Sequence, residues 1–236
     1  MSIPPRKLAS NPGAARISDV AYERIKGDIV LCALQPGSEV TEAALAARYT
    51  LGKAPVRAAL MRLGQDGLVQ PLARRGYLIT PLTIRDVQDL FEFRLLLEPA
   101  TAKLAAGRLG EAGVQRLRDL NRTDTALGTA FNRSNSLFHA AIAAAAGNRR
   151  ITEALARLHD QMERLFHLRL RDGDQERGHA EHERIISALA SGDGEVAERV
   201  AAEHIQNGRQ TLMEAIFTSP ELMAVRINYR GARDAP

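Results

Sequence analysis

A chain of 236 residues, 45% of them apolar, can bury a sizeable core and has the length of one large domain or two modest ones. Its single cysteine, Cys32, excludes an intramolecular disulfide and fits a reducing compartment. No segment approaches the about 18 uninterrupted apolar residues of a membrane span, and the first residues lack a secretion-signal apolar run, so a cytoplasmic protein with no membrane role is expected. The net charge of +4 is unevenly spread. Residues 1–80 carry 11 Lys and Arg against 6 Asp and Glu, a surplus of +5, whereas residues 81–236 carry 21 against 22, or −1. That asymmetry points to a small module facing a polyanion, joined to a nearly neutral domain with another task. An incidental excess on a solvated face is the alternative.

Residues 1–16, rich in Pro, Gly and Ala, read as a flexible arm. Ser18 can then cap a helix running to about Leu31, with Tyr22, Ile25, Ile29 and Val30 on its apolar face. A Pro-Gly turn at 36–37 follows, and Thr41 caps a short helix, "EAALAARY". The next helix, "KAPVRAALMRLGQDG", has Pro55 in its first turn and stops at Gly67. Its Val56, Leu60 and Leu63 share one face, leaving Lys53, Arg57 and Met61 on another.

Two short helices joined by a tight turn, the second basic at its N-terminal end, form a helix-turn-helix whose second helix can enter a DNA major groove. Arg62, further along that helix, is also a candidate contact. "LVQPLARRGYLIT" then predicts a hairpin with Arg74, Arg75 and Gly76 at its tip, the wing of a winged helix. Arginines there suit a narrow minor groove, and Gly76 suits close approach of backbone to DNA. An ordinary solvated turn explains the same residues.

From Thr83 onward the pattern is helical throughout. Thr83 and Asp86 can form a capping-box variant opening a helix with Val87, Leu90, Phe91, Leu95 and Leu97 on its apolar face, and Pro99 predicts a kink. Further helices are expected at about 111–127, 129–146, 149–170, 176–190 and 195–216, making six. The alanines within 140–146 suit close helix packing. The domain reading is thus a winged helix-turn-helix at 17–80, an all-α bundle at 81–217 and a loose tail at 218–236.

Asn135 and His139 lie four residues apart and share a helix face. His182 and His204 stand about 14–15 Å from the same hairpin end, measured along their helices, and so are level in an antiparallel pair. A third helix bringing in Asn135 and His139 would assemble three imidazoles and an amide oxygen, a set suited to zinc, nickel or another divalent ion. Hydrogen-bonded, partly buried histidines are the simpler alternative. His159 and His179 read as surface residues.

The stretch "AYERIKGDIVLCALQPGSEVTEAALAARYTLGKAPVRAALMRLGQDGLVQPLARRGYLITP" resembles the DNA-binding domain of the GntR family of bacterial transcription regulators. In that family the second helix begins Ser-Arg-x-Pro-Val-Arg, with both arginines on DNA. Here those positions are Gly52, Lys53 and Arg57, and Lys53 keeps the charge without the bidentate fork, which suits a phosphate more than a guanine. "FEFRLLLEPATAKLAA", "SLFHAAIAAAAGN" and "AEHERIISALASGDGEVAERVAAEHI" resemble the FCD effector domain of the FadR-like branch, in its six-helix VanR-like subgroup.

The resemblance implies a metal held by Asp-x3-His and two further histidines. His139, His182 and His204 match these positions, and Asn135 replaces the usual Asp, leaving the site one positive charge higher. It also implies a small organic-acid effector beside the metal, with Arg94 as a carboxylate clamp and Arg164 and His167 as weaker pocket candidates. An ion pair of Arg94 with Glu98, one turn on, is the alternative. The expected protein is a metabolite-responsive regulator, a repressor and a homodimer on a palindromic operator whose half-sites lie about one DNA turn apart. It is not expected to be an enzyme, because Glu181 and Glu183, beside His182, point to other helix faces and no carboxylate is placed for catalysis. An architectural DNA-binding protein with a purely structural helical domain is the remaining rival.

Overall fold

The computed structural model describes residues 12–122, 128–167 and 174–218. The chain divides into two compact units, one of residues up to Ile29 with Ala33–Thr80, the other of Val30–Cys32 with the chain from Pro81 on.

In the first unit α1 (Pro12–Val30) is followed by β1 (Glu39–Val40), α2 (Glu42–Tyr49), α3 (Lys53–Gln65), β2 (Val69–Leu72) and β3 (Gly76–Ile79). The helix expected to start at Ser18 begins earlier, so residues 12–16 are helical rather than part of an arm. Pro12 suits a first helical position, where a missing N–H costs nothing. The rest of the arm lies outside the described residues. Thr41 caps α2 as expected, its hydroxyl accepting from the Ala44 N–H at 3.1 Å. Thr50 turns the chain through a left-handed conformation into α3. Ile25, Ile29, Leu45, Val56, Leu60, Leu63 and Ile79 are buried together, which locks the three helices and the sheet into one core.

The hairpin falls where the sequence places it. A third strand, β1, joins it to give the antiparallel order β1-β3-β2, with Val40 opposite Tyr77 and Leu72 opposite Gly76. Two residues of β1 carry too little pattern to be read beforehand. Pro71 sits on the edge strand β2, where its missing N–H is tolerated.

The second unit contains α4 (Ile84–Ala105), α5 (Gly110–Asn121), α6 (Gly128–Ala145), α7 (Arg149–His167), α8 (Asp174–Ser191) and α9 (Gly194–Thr218). The expected ends of α5 and α7, at 123–127 and 168–170, lie outside the described residues, as does the tail beyond Thr218. Thr83 and Asp86 make the full capping box, at 3.0 and 2.8 Å. Pro99 lies inside α4 and is buried. α4 packs most extensively on α9 and also touches α6, α7 and α8. This central position places its residues 94–101 beside the histidine-bearing helices. Ala143 and Ala146 of the alanine run are buried, in keeping with close packing.

Candidate nucleic-acid interface and histidine centre

Burial of Val56, Ala59, Leu60 and Leu63 fixes the rotation of α3. Lys53, Ala54, Arg57, Ala58 and Met61 are therefore exposed. Two cations thus stand at the N-terminal end of a 13-residue helix, where free N–H groups and the helix dipole also favour anions. Arg57 lies against Glu42 in a bidentate pair, at 2.8 and 2.7 Å. The hydrogen bond from Arg57 holds the Glu42 carboxyl below its ordinary value. Exposed pairs of this kind contribute about 0–1 kcal/mol, so a phosphate or base edge can compete for the guanidinium.

Three candidate contacts also have partners within the unit. Arg62 pairs with Asp19 of α1 at 2.6 Å and lies 4.1 Å from the centre of the Tyr22 ring, so it ties α3 to α1. Arg75 is exposed but pairs with Glu39 of β1 at 2.6 Å, whereas Arg74 is exposed in a left-handed conformation at φ 62°. Gly76 has φ +110°, and a β-carbon there would lie 2.3 Å from the Val40 carbonyl oxygen. The close approach that requires glycine is therefore to β1, within the sheet.

In the helical unit the structure brings His139 of α6, His182 of α8 and His204 of α9 together. Their ring centres are 4.9–5.4 Å apart, and one ligand atom from each lies within 4.8 Å of the others. The Nε2 atoms of His139 and His182 are buried without a hydrogen-bond partner. Burial pushes the His139 imidazole down to about 4 and holds that of His182 well below its ordinary value, so both stay neutral, the form that binds a metal. Three imidazoles with a ring nitrogen each within 4.8 Å of the others, two of them carrying an unpartnered Nε2, are a donor set that suits a divalent ion. Asn135, half-buried, lies one turn before His139 on α6.

Glu98 was not singled out in the sequence as a site residue. It is 7% exposed, receives Arg94 Nε and Nη2 at 2.6 and 3.2 Å, and lies 3.1 Å from His139 Nδ1. Burial pushes its carboxyl up, but Arg94, with His139 and His159, outweighs this and holds it well below the carboxylate range. Arg94 thus takes the intrahelical alternative. His159, expected at the surface, is 4% exposed, lies 3.7 Å from Glu98, and is pushed by burial down to about 3. Its placement follows from the run Leu155, Leu158, His159, Met162 on the buried face of α7, a spacing visible in the sequence. Glu98, His139 and His159 form a second possible donor group, but the Arg94 charge on the same carboxylate opposes a cation there. His179 is half-buried against Asn121 at 3.1 Å.

Beside His139 and His204 a cavity of about 20 Å³, bounded also by Glu98, Thr101 and Ile142, has room for about one water. Arg94, Arg164 and His167 do not line it. Arg164 is fully buried, donates to the Gln161 side chain at 2.6 Å and is pushed by burial down to about 10. His167 is half-buried.

A winged helix-turn-helix followed by a six-helix unit defines a class of DNA-binding regulator with a second, all-helical domain. The chain belongs to the GntR family of bacterial regulatory proteins: the profile of the gntR-family domain matches residues 17–79 and that of the FCD domain residues 89–207. It is similar to the HTH-type transcriptional repressor RspR of Escherichia coli K12, with 24% identity over 196 residues, covering 80% of this chain and 86% of that protein. It is also similar to the E. coli K12 repressor GlaR, with 26% identity over 198 residues, covering 78% and 90%. Among solved structures, E. coli McbR/YncC shares the fold with a TM-score of 0.73 and 19% identity, covering 84% of this chain and 97% of that one. The protein is a DNA-binding transcriptional regulator, and RspR and GlaR are transcriptional repressors rather than enzymes. No described helix is long and apolar enough to cross a membrane.

Proposed function

We propose that this regulator is a cytoplasmic, metabolite-responsive repressor that binds a palindromic operator as a homodimer and responds to a small organic acid bound beside a divalent metal, zinc or nickel. The observation that carries the reading is the converging set of His139, His182 and His204, with two orphaned Nε2 atoms, in the helical unit of a DNA-binding chain. These histidines would hold the ion with the amide oxygen of Asn135, and the ion would offer an effector carboxylate its positive charge. With Arg94 committed to Glu98, the metal is the stronger anchor for an incoming anion.

The sign of regulation follows the two named repressors among the relatives. Dimerisation is supported by Phe93, Leu96 and Leu104 on α4, which are 41%, 74% and 39% exposed although apolar. Effector control requires a ligand whose affinity differs between the DNA-competent and incompetent states.

The test is binding of full-length protein to DNA from upstream of its own gene and to random DNA, across a salt series. Preference for the upstream DNA, weakened by adding zinc with small carboxylates, is expected. Lys53→Ala or Arg57→Ala should weaken binding and flatten the salt slope. Equal affinity for both DNAs would overturn the operator reading. Unchanged affinity with every metal and carboxylate tried would leave the architectural role as the better account.

A further inference from the structure

Two carboxylates reach the histidine centre from outside it, each on the far edge of an imidazole ring. Glu98 Oε2 is 3.1 Å from His139 Nδ1, and Glu181 Oε2 is 2.8 Å from His204 Nδ1. Both carboxylates are themselves held. Glu98 is fixed by the two contacts from Arg94, while Glu181 Oε1 receives the Asn207 amide at 2.8 Å and Arg177 Nε at 3.1 Å. The third ring, His182, pairs with no carboxylate among the described residues and stacks on Phe138 at 4.1 Å between centres, inclined by 14°.

We propose that Glu98 and Glu181 are positioning residues of the metal centre: each accepts the Nδ1–H of one histidine and so leaves that ring's Nε2 lone pair for the ion. This rests on the metal reading above. The physical reason is general. A neutral imidazole carries one proton, and a carboxylate at one nitrogen decides which nitrogen keeps it, fixes the ring plane and makes the other nitrogen a better donor. The unpartnered Nε2 of His139 is the atom this arrangement leaves over. The amide of Asn135 adds no charge to the metal, so its retention depends on how well the three rings are oriented. Glu181 and His182 are adjacent on α8, yet they serve the centre from different sides. His182 supplies a ring nitrogen directly, and Glu181 acts across to α9 through His204.

The experiment uses full-length protein and zinc in competition with a chelator of known affinity, together with 15N NMR of the histidine rings in metal-free protein. Glu181→Leu, which removes the acceptor, should weaken zinc binding about 10- to 100-fold and shift the ring of His204 from the Nδ1–H form to a mixture of tautomers. Glu181→Gln, which keeps an acceptor oxygen, should retain more of both properties. Glu98→Gln should act likewise on His139, but it leaves the buried Arg94 without its counter-charge, so the Glu181 pair of variants carries the test. A Glu181→Leu protein that binds zinc within about threefold of wild type, with His204 in an unchanged tautomer, would overturn the proposal even if its thermal stability fell. Wild-type protein that takes up neither zinc nor nickel would overturn the metal reading and the proposal with it. The metal-free tautomers separate these two failures.

Discussion

Replacing Arg94 with methionine removes the permanent cation paired with the buried Glu98 while keeping most of the apolar stem. In the wild-type protein the guanidinium meets both carboxylate oxygens, and the two side chains are 2% and 7% exposed. The histidines around Glu98 do not replace the lost charge, because burial holds His139 and His159 neutral at pH 7. Breaking a buried pair from one side costs about 3–5 kcal/mol, since the surviving charge is left without water or partner. Removing both, as Arg94→Met with Glu98→Leu, should recover most of that cost, because no buried charge remains. The assay is urea unfolding of metal-free protein at pH 7, following the transition of the helical unit. For a denaturant slope of about 2 kcal/mol/M the single variant's midpoint should fall by about 1.5–2.5 M. A loss below about 1 kcal/mol, or a double variant no more stable than the single one, would refute the view that Arg94 is first a counter-ion to Glu98.

Gly76→Ala should destabilise the winged unit by about 2 kcal/mol or more, because its φ of +110° and the Val40 oxygen 2.3 Å from the new β-carbon force β1 away from β3. Thermal unfolding and DNA binding should both suffer, and wild-type values in either would contradict the sheet-packing role. The metal-free protein should also be acid-labile. His139 at about 4 and His159 at about 3 lie below the ordinary value near 6.5, so between these values the unfolded chain binds more protons than the folded one. Stability is therefore complete above about pH 6.5 and falls as pH drops toward 4, by up to about 1.4 kcal/mol per pH unit for each histidine. Glu98, held low, adds its own loss only as pH falls further, through its folded value. A melting temperature constant from pH 7.5 to 4.5 would contradict this.

Features whose causes are local are legible in the chain before any packing is known. Thr41 and the Thr83–Asp86 box cap their helices with side chains three residues from the N–H groups they satisfy, and the faces of α3 follow from a 3.6-residue period. The register of His182 and His204 about one hairpin is likewise a matter of counting, and the structure places their rings 4.9 Å apart.

Contacts between residues distant in the chain arise from how the helices pack. Glu98 and His139 are brought together by packing of α4 against α6, Glu181 and His204 by that of α8 against α9, and Arg62 is claimed by Asp19 across 43 positions. A charged side chain carries in its own neighbourhood no record of which partner folding will bring within 3 Å. Arg94 shows the boundary: its local pairing with Glu98 was readable as a possibility, but burial made it the arrangement adopted. At 2% exposure a guanidinium excluded from water must find its counter-charge within the fold.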